Sequence, residues 1–235
     1  MERARQLQDE GVHLGGPMRL FDTAGRKLLM LMLEEGLTPA SAVLDIGCGC
    51  LRGGYWLIHF LDRGRYCGIE PNAAMLDGGL RLILEPGLAE SKQPRFDPND
   101  RFDFSVFGRR FDFLVARSVW THAAKPHIGA MLDGFRDHAA DGGVFLTSYL
   151  PARSPEEDYE GTEWQARSSE RNAPRVVRHG LGWIRGACAE RGLAAEEVTE
   201  NLFRFGNQEW LRVRRAGRPG NAAGSPASCP QPMSG

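Results

Sequence analysis

The stretch Val43-Leu44-Asp45-Ile46-Gly47-Cys48-Gly49 decides how the rest of the chain is read. Ala42–Ile46 is a compact apolar strand interrupted by a single acid, Asp45, and the glycine-rich turn 47–54 follows at once. Gly47 and Gly49 carry no Cβ, so the backbone there can pass close to a bound molecule. A helix expected to begin near Leu51 turns its free N–H groups and partial positive charge toward that turn. Ligands of open α/β sheets bind outside the carboxyl ends of the strands, which is where such a turn lies.

Working outward, Tyr66-Cys67-Gly68-Ile69-Glu70 is a second strand whose terminal acid falls about 20 residues on, where a carboxylate hydrogen-bonds ribose hydroxyls. This much predicts a nucleoside cofactor and fits NAD and S-adenosylmethionine (SAM) equally. Two residues separate them. Arg52 occupies the position of the third glycine that a dinucleotide fingerprint needs for close helix–strand packing. Asp45 lies inside the strand, where NAD-binding strands carry an apolar side chain; an acid there can meet an ammonium group. Both favour SAM.

The elements further out alternate. An N-terminal helical segment (a loose helix over 1–10, then a broadly apolar one from Met18 to Glu35) precedes the first strand. After it come helices over Tyr55–Leu61 and from an Asn72 cap to about Leu84, a polar stretch 86–100 with a short strand near Arg95-Phe96, and a fourth strand Phe111–Ala116. Pro126 opens a helix to about Ala139; Asp141-Gly142-Gly143 turns the chain into a fifth strand, Val144–Tyr149. A helix over 176–191 and strands near 195–198 and 209–213 complete the pattern. Strands alternating with helices predict an α/β, doubly wound, mostly parallel seven-stranded sheet. The expected organisation is a helical cap over 1–37, a cofactor-binding domain over 38–215 with a lid-like insertion 151–175, and a disordered Gly/Pro/Ser/Ala tail over 216–235.

Four segments in this order resemble the motifs of class I SAM-dependent methyltransferases, a Rossmann-like family. Val43–Gly49 looks like their motif I, and Gly68-Ile69-Glu70-Pro71-Asn72 is similar to the motif that grips the ribose. Phe111–Val115 followed by Ser118-Val119-Trp120-Thr121-His122 resembles their fourth-strand segment, and Asp141–Leu146 the turn and strand after it. The resemblance implies SAM as cofactor, with Asp45, Gly47, Cys48 and Gly49 around its methionine end and Glu70 on the ribose. It also implies Asp103 on the adenine amino group with Phe104 or Phe102 as an apolar wall. Arg52 is placed to pair with the methionine carboxylate, and Arg117 and Ser118 line the site from the fourth strand. Leu51 departs from the pattern, which usually has a third glycine there, and predicts a shifted turn.

Transfer of a methyl group needs a base only when the nucleophile has a proton to lose. The catalytic candidates are His122, after the fourth strand; His13, in the N-terminal Gly-Gly-Pro turn; and Tyr149, at the end of the fifth strand. His59 and His138 read as packing or capping residues. The expected acceptor is an oxygen or nitrogen of a small molecule, such as a natural-product intermediate or a sugar, with Trp120, Tyr159 and Trp164 shaping its pocket. The place where amino-methylating enzymes of nucleobases or glutamine carry Asn/Asp-Pro-Pro-Tyr/Phe reads Ala116-Arg117-Ser118-Val119. A net charge of −1 with no basic stripe argues against nucleic acid. No apolar run approaches the ~20 residues of a membrane span. Five scattered cysteines suit a reducing, cytoplasmic setting and provide no second pair at zinc spacing, so no metal is expected. A homodimer is an expected assembly. Two readings compete: a SAM-binding protein without transfer activity, and an NAD-dependent oxidoreductase.

Overall fold

In the computed structural model, residues 2–12, 14, 16–165, 176–199 and 207–217 are described. Seven strands form one sheet in the order β3-β2-β1-β4-β5-β7-β6. They are β1 Val43–Ile46, β2 Tyr66–Ile69, β3 Arg95–Asp97, β4 Phe111–Ala116, β5 Ala139–Tyr149, β6 Leu193–Val198 and β7 Glu209–Arg215. The first five are mutually parallel. β7 inserts antiparallel between β5 and β6. The strand order reverses between β1 and β4, so the cleft at their carboxyl ends is the topological switch point.

Period-2 alternation gives each face of the sheet its own core. Leu44, Ile46, Leu114, Ala116, Phe145 and Tyr149 face helices α6 (Lys125–His138) and α7 (Leu181–Ala189). Val43, Phe113, Val115, Val144 and Leu146 face α2 (Phe21–Glu34) and α3 (Gly54–Phe60). A third cluster carries the N-terminal segment: Ala4 and Leu7 of α1 (Glu2–Asp9), with Leu14, pack on Phe21, Cys50 and Ile83. The cap therefore lies directly against the glycine-rich turn. Among the described residues, no helix is long and apolar enough to cross a membrane.

Several expected boundaries move, each for a local reason. α2 opens with a 3-10 turn, Met18–Leu20. The helix after the glycine-rich turn begins at Gly54, not near Leu51, because Leu51 adopts a left-handed φ of 61° that no α-helix accepts. The Asn72-capped helix α4 (Ala73–Gly78) continues to Ile83 as a π-helix. There Gly79 lies so close on Cys50 that a Cβ would be 2.7 Å from the Cys50 carbonyl carbon. The polar stretch after it holds a short helix, α5 (Leu88–Lys92). β5 starts five residues early, at Ala139, with its register shifted between Phe111 and Phe113. The late helix starts only at Leu181. Residues 177–179 instead run extended, bridging Pro151 to His179 and Asp158 to Arg178.

Candidate functional site

Asp45 faces the α2/α3 side of β1, 4% exposed, at the switch point. The Tyr66 hydroxyl donates to its Oδ2 at 2.8 Å. Burial raises the carboxyl from its ordinary 3.8 to about 7, against the opposing effects of the Tyr66 bond and the Arg117 charge. An acid held there at the edge of ionisation is one that a cation would convert to a carboxylate.

The turn beyond β1 is held open by backbone geometry. Gly47 and Gly49 have φ of 71° and 55°, and a Cβ on Gly47 would lie 2.8 Å from Val119 Cγ2. The N–H groups of Gly47 and Cys48 both donate to the Ile69 carbonyl, tying the turn to the end of β2. Glu70, 5% exposed, fixes the next residues: its Oε2 accepts from Gly49 N at 2.9 Å and its Oε1 from Asn72 N at 2.8 Å. Burial raises its pKa while these two bonds lower it. Each oxygen keeps a lone pair for a further donor. Leu51 keeps the left-handed conformation a glycine would adopt there, because its side chain is fully buried against the α3 cluster. The helix that follows accordingly starts three residues later, at Gly54.

Two guanidinium groups lie at this end of the sheet, Arg117 in electrostatic reach of Asp45 and Arg52 in reach of Arg117. Arg52 is 8% exposed, stacks 5.7 Å from the Phe21 ring centroid and donates through Nε to the Phe21 carbonyl at 3.2 Å. Gly25 permits this approach, since a Cβ there would overlap the Arg52 carbonyl oxygen, and Gly16 of the cap lies against Arg52 Nη1. Arg117 continues the face of Phe113 and Val115 past the end of β4. Burial, reinforced by the Arg52 charge and opposed by Asp45, lowers its pKa to about 10. Beside it Ser118, with φ of 58°, donates its N–H to Ser148 Oγ at 2.8 Å. Ser148 Oγ donates to Gln208 Oε1 at 2.7 Å, and Ser118 Oγ accepts from Gln208 Nε2 at 2.9 Å. The ends of β4 and β5 are thus cross-linked to the residue just before β7.

Of the other sequence-predicted positions, Tyr149 and Phe104 lie in the core. Asp103 is linked to the end of β3 through Asn99, whose Oδ1 accepts from Asp103 N at 2.9 Å and whose Nδ2 donates to Asp97 Oδ1 at 2.6 Å. Tyr149 shares the α6/α7 face with Phe145, is 1% exposed, and has Glu197, Glu209 and Arg185 as its charged neighbours. Burial pushes its phenol up to about 12, so it is a core residue and not a base at the ligand edge. Asp103 closes the 3-10 turn Ser105–Phe107, accepting from Ser105 N at 3.0 Å and Oγ at 2.5 Å. Phe104 is 1% exposed and packs on Gly134 of α6, so it does not wall a ligand. Asp97, the last residue of β3, also lies at the carboxyl edge; its Oδ1 accepts from Asn99 N at 2.9 Å and Nδ2 at 2.6 Å, and its carbonyl accepts from Glu70 N at 3.2 Å. Tyr66, Ser148 and Gln208 were also missed. The available signal for Tyr66 was a phenol opening the strand beside a buried acid.

His122, His127 and His179 gather around the loop between β4 and α6. His122 Nδ1 lies 3.1 Å from the Gln165 carbonyl. A carbonyl only accepts, so Nδ1 carries a proton. His127 is the opposite case: its Nδ1 accepts from Ala124 N at 3.2 Å, leaving the proton on Nε2. His179, fully buried, donates Nε2–H to the Ala123 carbonyl at 2.9 Å and turns Nδ1 toward Asp158 Oδ1, 3.8 Å away. Burial lowers the pKa of both His127 and His179. His13 lies outside the described residues, as do 166–175 of the insertion and 218–235 of the tail. Among the described residues, no group of three or more metal-ligating side chains occurs.

A sheet of this order with an acid and two glycines at its switch point defines a class of methyl-transferring enzymes. A methyltransferase-domain family profile matches residues 19–198. The chain belongs to that family, the class I SAM-dependent methyltransferases. No curated protein matches it in sequence. Solved structures match in fold. Magnesium protoporphyrin IX methyltransferase from Synechocystis PCC 6803, with bound SAM, has a TM-score of 0.60 at 17% identity, covering 85% of this chain and 81% of that one. The complex of DhpI with S-adenosylhomocysteine (SAH) gives 0.60 at 17%, covering 92% and 94%. The sugar N-methyltransferase KedS8 from Streptoalloteichus gives 0.58 at 18%, covering 84% and 88%.

Proposed function

We propose that this chain transfers the methyl group of SAM to an oxygen or nitrogen of a small molecule, with His122 as the base. The observation that carries the cofactor half is the convergence of buried Asp45 and Glu70 on one glycine turn, with Arg117 beside Asp45 and Arg52 beside Arg117. Asp45 takes the methionine ammonium, the one cation of an amino acid that a half-ionised buried acid would bind. Arg52 and Arg117 receive the methionine carboxylate. Glu70 accepts from the ribose hydroxyls through its remaining lone pairs, and Asp97 takes the adenine-amino role that the motif resemblance assigns to Asp103.

SAM, when bound, supplies an electrophilic methyl on a sulfonium, and in-line alignment provides much of the rate. His122 Nε2 takes the proton that an acceptor hydroxyl or ammonium-derived amine loses as it attacks. Small-molecule acceptors of this kind are named for structural neighbours of this fold, including a sugar N-methyltransferase and a glycopeptide N-methyltransferase. The test is incubation with methyl-labelled SAM and metabolite extracts from varied cells. Label in a small molecule, reduced at least tenfold by His122→Ala with SAH affinity unchanged, is the expected result. No label in any extract, with SAM still bound, would favour a binding protein without transfer activity.

A further inference from the structure

The amino ends of the parallel strands, on the sheet edge away from the cofactor cleft, gather cations that the fold does not neutralise. Arg63 and Arg65 flank Gly64 ahead of β2, Arg95 opens β3, and Arg109 and Arg110 lead into β4. Printed contacts draw these segments and Lys92 of α5 together. Gly64 N donates to the Lys92 carbonyl at 2.6 Å, and Arg109 Nη1 donates to the Gly64 carbonyl at 2.7 Å. Arg95 and Arg109 both lie in electrostatic reach of Cys67. The partners of these side chains are carbonyls and rings. Lys92 Nζ donates to the His59 and Leu61 carbonyls at 2.9 and 2.7 Å. Arg95 Nη1 donates to the Phe107 carbonyl and Arg110 Nη1 to that of Ala139, each at 2.8 Å. Arg95 and Arg109 also lie over the Phe107 and Phe111 rings. Among the described residues, none of the six cations forms an ion pair. Arg136 and Arg215, near the start of β5, do pair, with Asp137 and Asp141, and the patch stops there. The whole chain carries a net charge of −1, so this edge is a local asymmetry and not a share of a general excess.

We propose that this edge docks an acidic protein, through a face that offers several carboxylates around an apolar side chain. A bond to a backbone carbonyl occupies one corner of a guanidinium and fixes its plane; the remaining N–H groups can take a carboxylate in bidentate fashion. The surface is mixed, not uniformly basic. Asp62 lies in the same turn as Arg63, Asp112 follows Arg110, and Val106, 39% exposed, precedes the Phe107 carbonyl that Arg95 holds. Asp62 and Asp112 repel a polymer or membrane of phosphates, and Val106 gives such a ligand nothing. A protein face can pair with both signs of charge and cover the valine. The cleft opens at the opposite ends of the same strands, so a partner seated here leaves cofactor and acceptor access free. Its role is to locate the enzyme, and the proposal rests neither on the acceptor nor on His122.

The test is titration of the full-length protein with a fluorescent helical peptide that carries glutamates at i, i+4 steps beside a row of leucines. The peptide should bind at about 50 mM salt and bind about tenfold more weakly at about 300 mM. Arg63→Glu combined with Arg110→Glu should weaken binding by about tenfold or more, with the far-UV circular dichroism unchanged. Arg63→Gln combined with Arg110→Gln serves if charge reversal impairs folding, with a smaller loss of about threefold. Arg26→Glu combined with Arg214→Glu removes arginines that the fold already pairs, and should change binding by less than about twofold. Equal losses from the two charge-reversed pairs, or no binding by the wild type at low salt, overturn the proposal. Tighter binding of duplex DNA or of phosphatidylserine vesicles than of the peptide overturns it too, and assigns the edge to a phosphate-bearing partner.

Discussion

Asp45 is where a single side chain sets the pH behaviour of the site. Its folded pKa of about 7 exceeds the ordinary 3.8, so the folded chain holds this proton more tightly than the unfolded chain does. Its contribution to stability is therefore greatest at low pH and is lost as pH rises from about 4 to about 7, after which it is flat. Cofactor binding has the opposite slope. An ammonium partner favours the carboxylate, so binding expels the proton below pH 7, and SAH affinity should rise several-fold between pH 6 and pH 8. Titration calorimetry in buffers of different ionisation enthalpy should detect the released proton; heats independent of buffer at pH 6.5 would refute the pairing. Asp45→Asn should weaken SAH binding at least tenfold and flatten the profile. Tyr66→Phe removes a bond that lowers the Asp45 pKa and should displace the affinity rise to higher pH. Asp45 and Glu70 were legible in the sequence because each ends or interrupts an apolar strand. Tyr66 was not, because a phenol at the start of a strand reads equally well as core. Phe104 was read as a ligand wall though it lies in the core, because a polar stretch gives no period from which to place its side chain.

At the scale of elements, the turn between β1 and α3 sets two costs against each other. A leucine at φ of 61° carries about 1–2 kcal/mol of strain. Its fully buried side chain is worth about 2–5 kcal/mol on truncation. Burial wins, which is why a leucine stands where the motif usually has glycine. Leu51→Gly should therefore destabilise the protein, by about 2–4 kcal/mol in urea unfolding, although it removes the strain. Leu51→Ala loses the same packing and retains the strain, so it should be less stable than Leu51→Gly by about 1 kcal/mol. The reverse order of the two variants would show that the left-handed turn is not strained. The strands were legible here as short apolar runs bounded by glycine and acid. The segment 176–180 was taken into a helix because Val176, Val177 and His179 fit an apolar period over so short a span. Its pairing to Pro151 and Asp158 lies far off in sequence, and no local pattern announces it.

For the molecule as a whole, the cap, the glycine turn and the sheet edge make one cooperative unit. Leu7 and Val12 pack on Gly78, Gly79 on Cys50, and Gly16 on Arg52, so the N-terminal segment closes on Arg52, one of the residues proposed to hold the cofactor. The order of strands and helices was readable because alternation fixes an open parallel sheet. The antiparallel insertion of β7 was not, because it depends on which edge the last strand reaches. A ligand seated in this unit stabilises the whole domain by RT ln(1 + [L]/Kd), about 2.7 kcal/mol at 100 times Kd. For a domain of this size that corresponds to a rise of roughly 5–10 °C in Tm. SAH at that ratio should produce such a rise in a thermal melt, growing with the logarithm of concentration. Asp45→Asn and Glu70→Ala should each reduce the rise at fixed SAH. NAD and NADP should leave Tm within 1 °C, on the order of a few tenths of a kcal/mol, because Arg52 fills the place where a pyrophosphate would approach the helix. A rise with NAD and none with SAH would remove the site assignment while leaving the fold untouched.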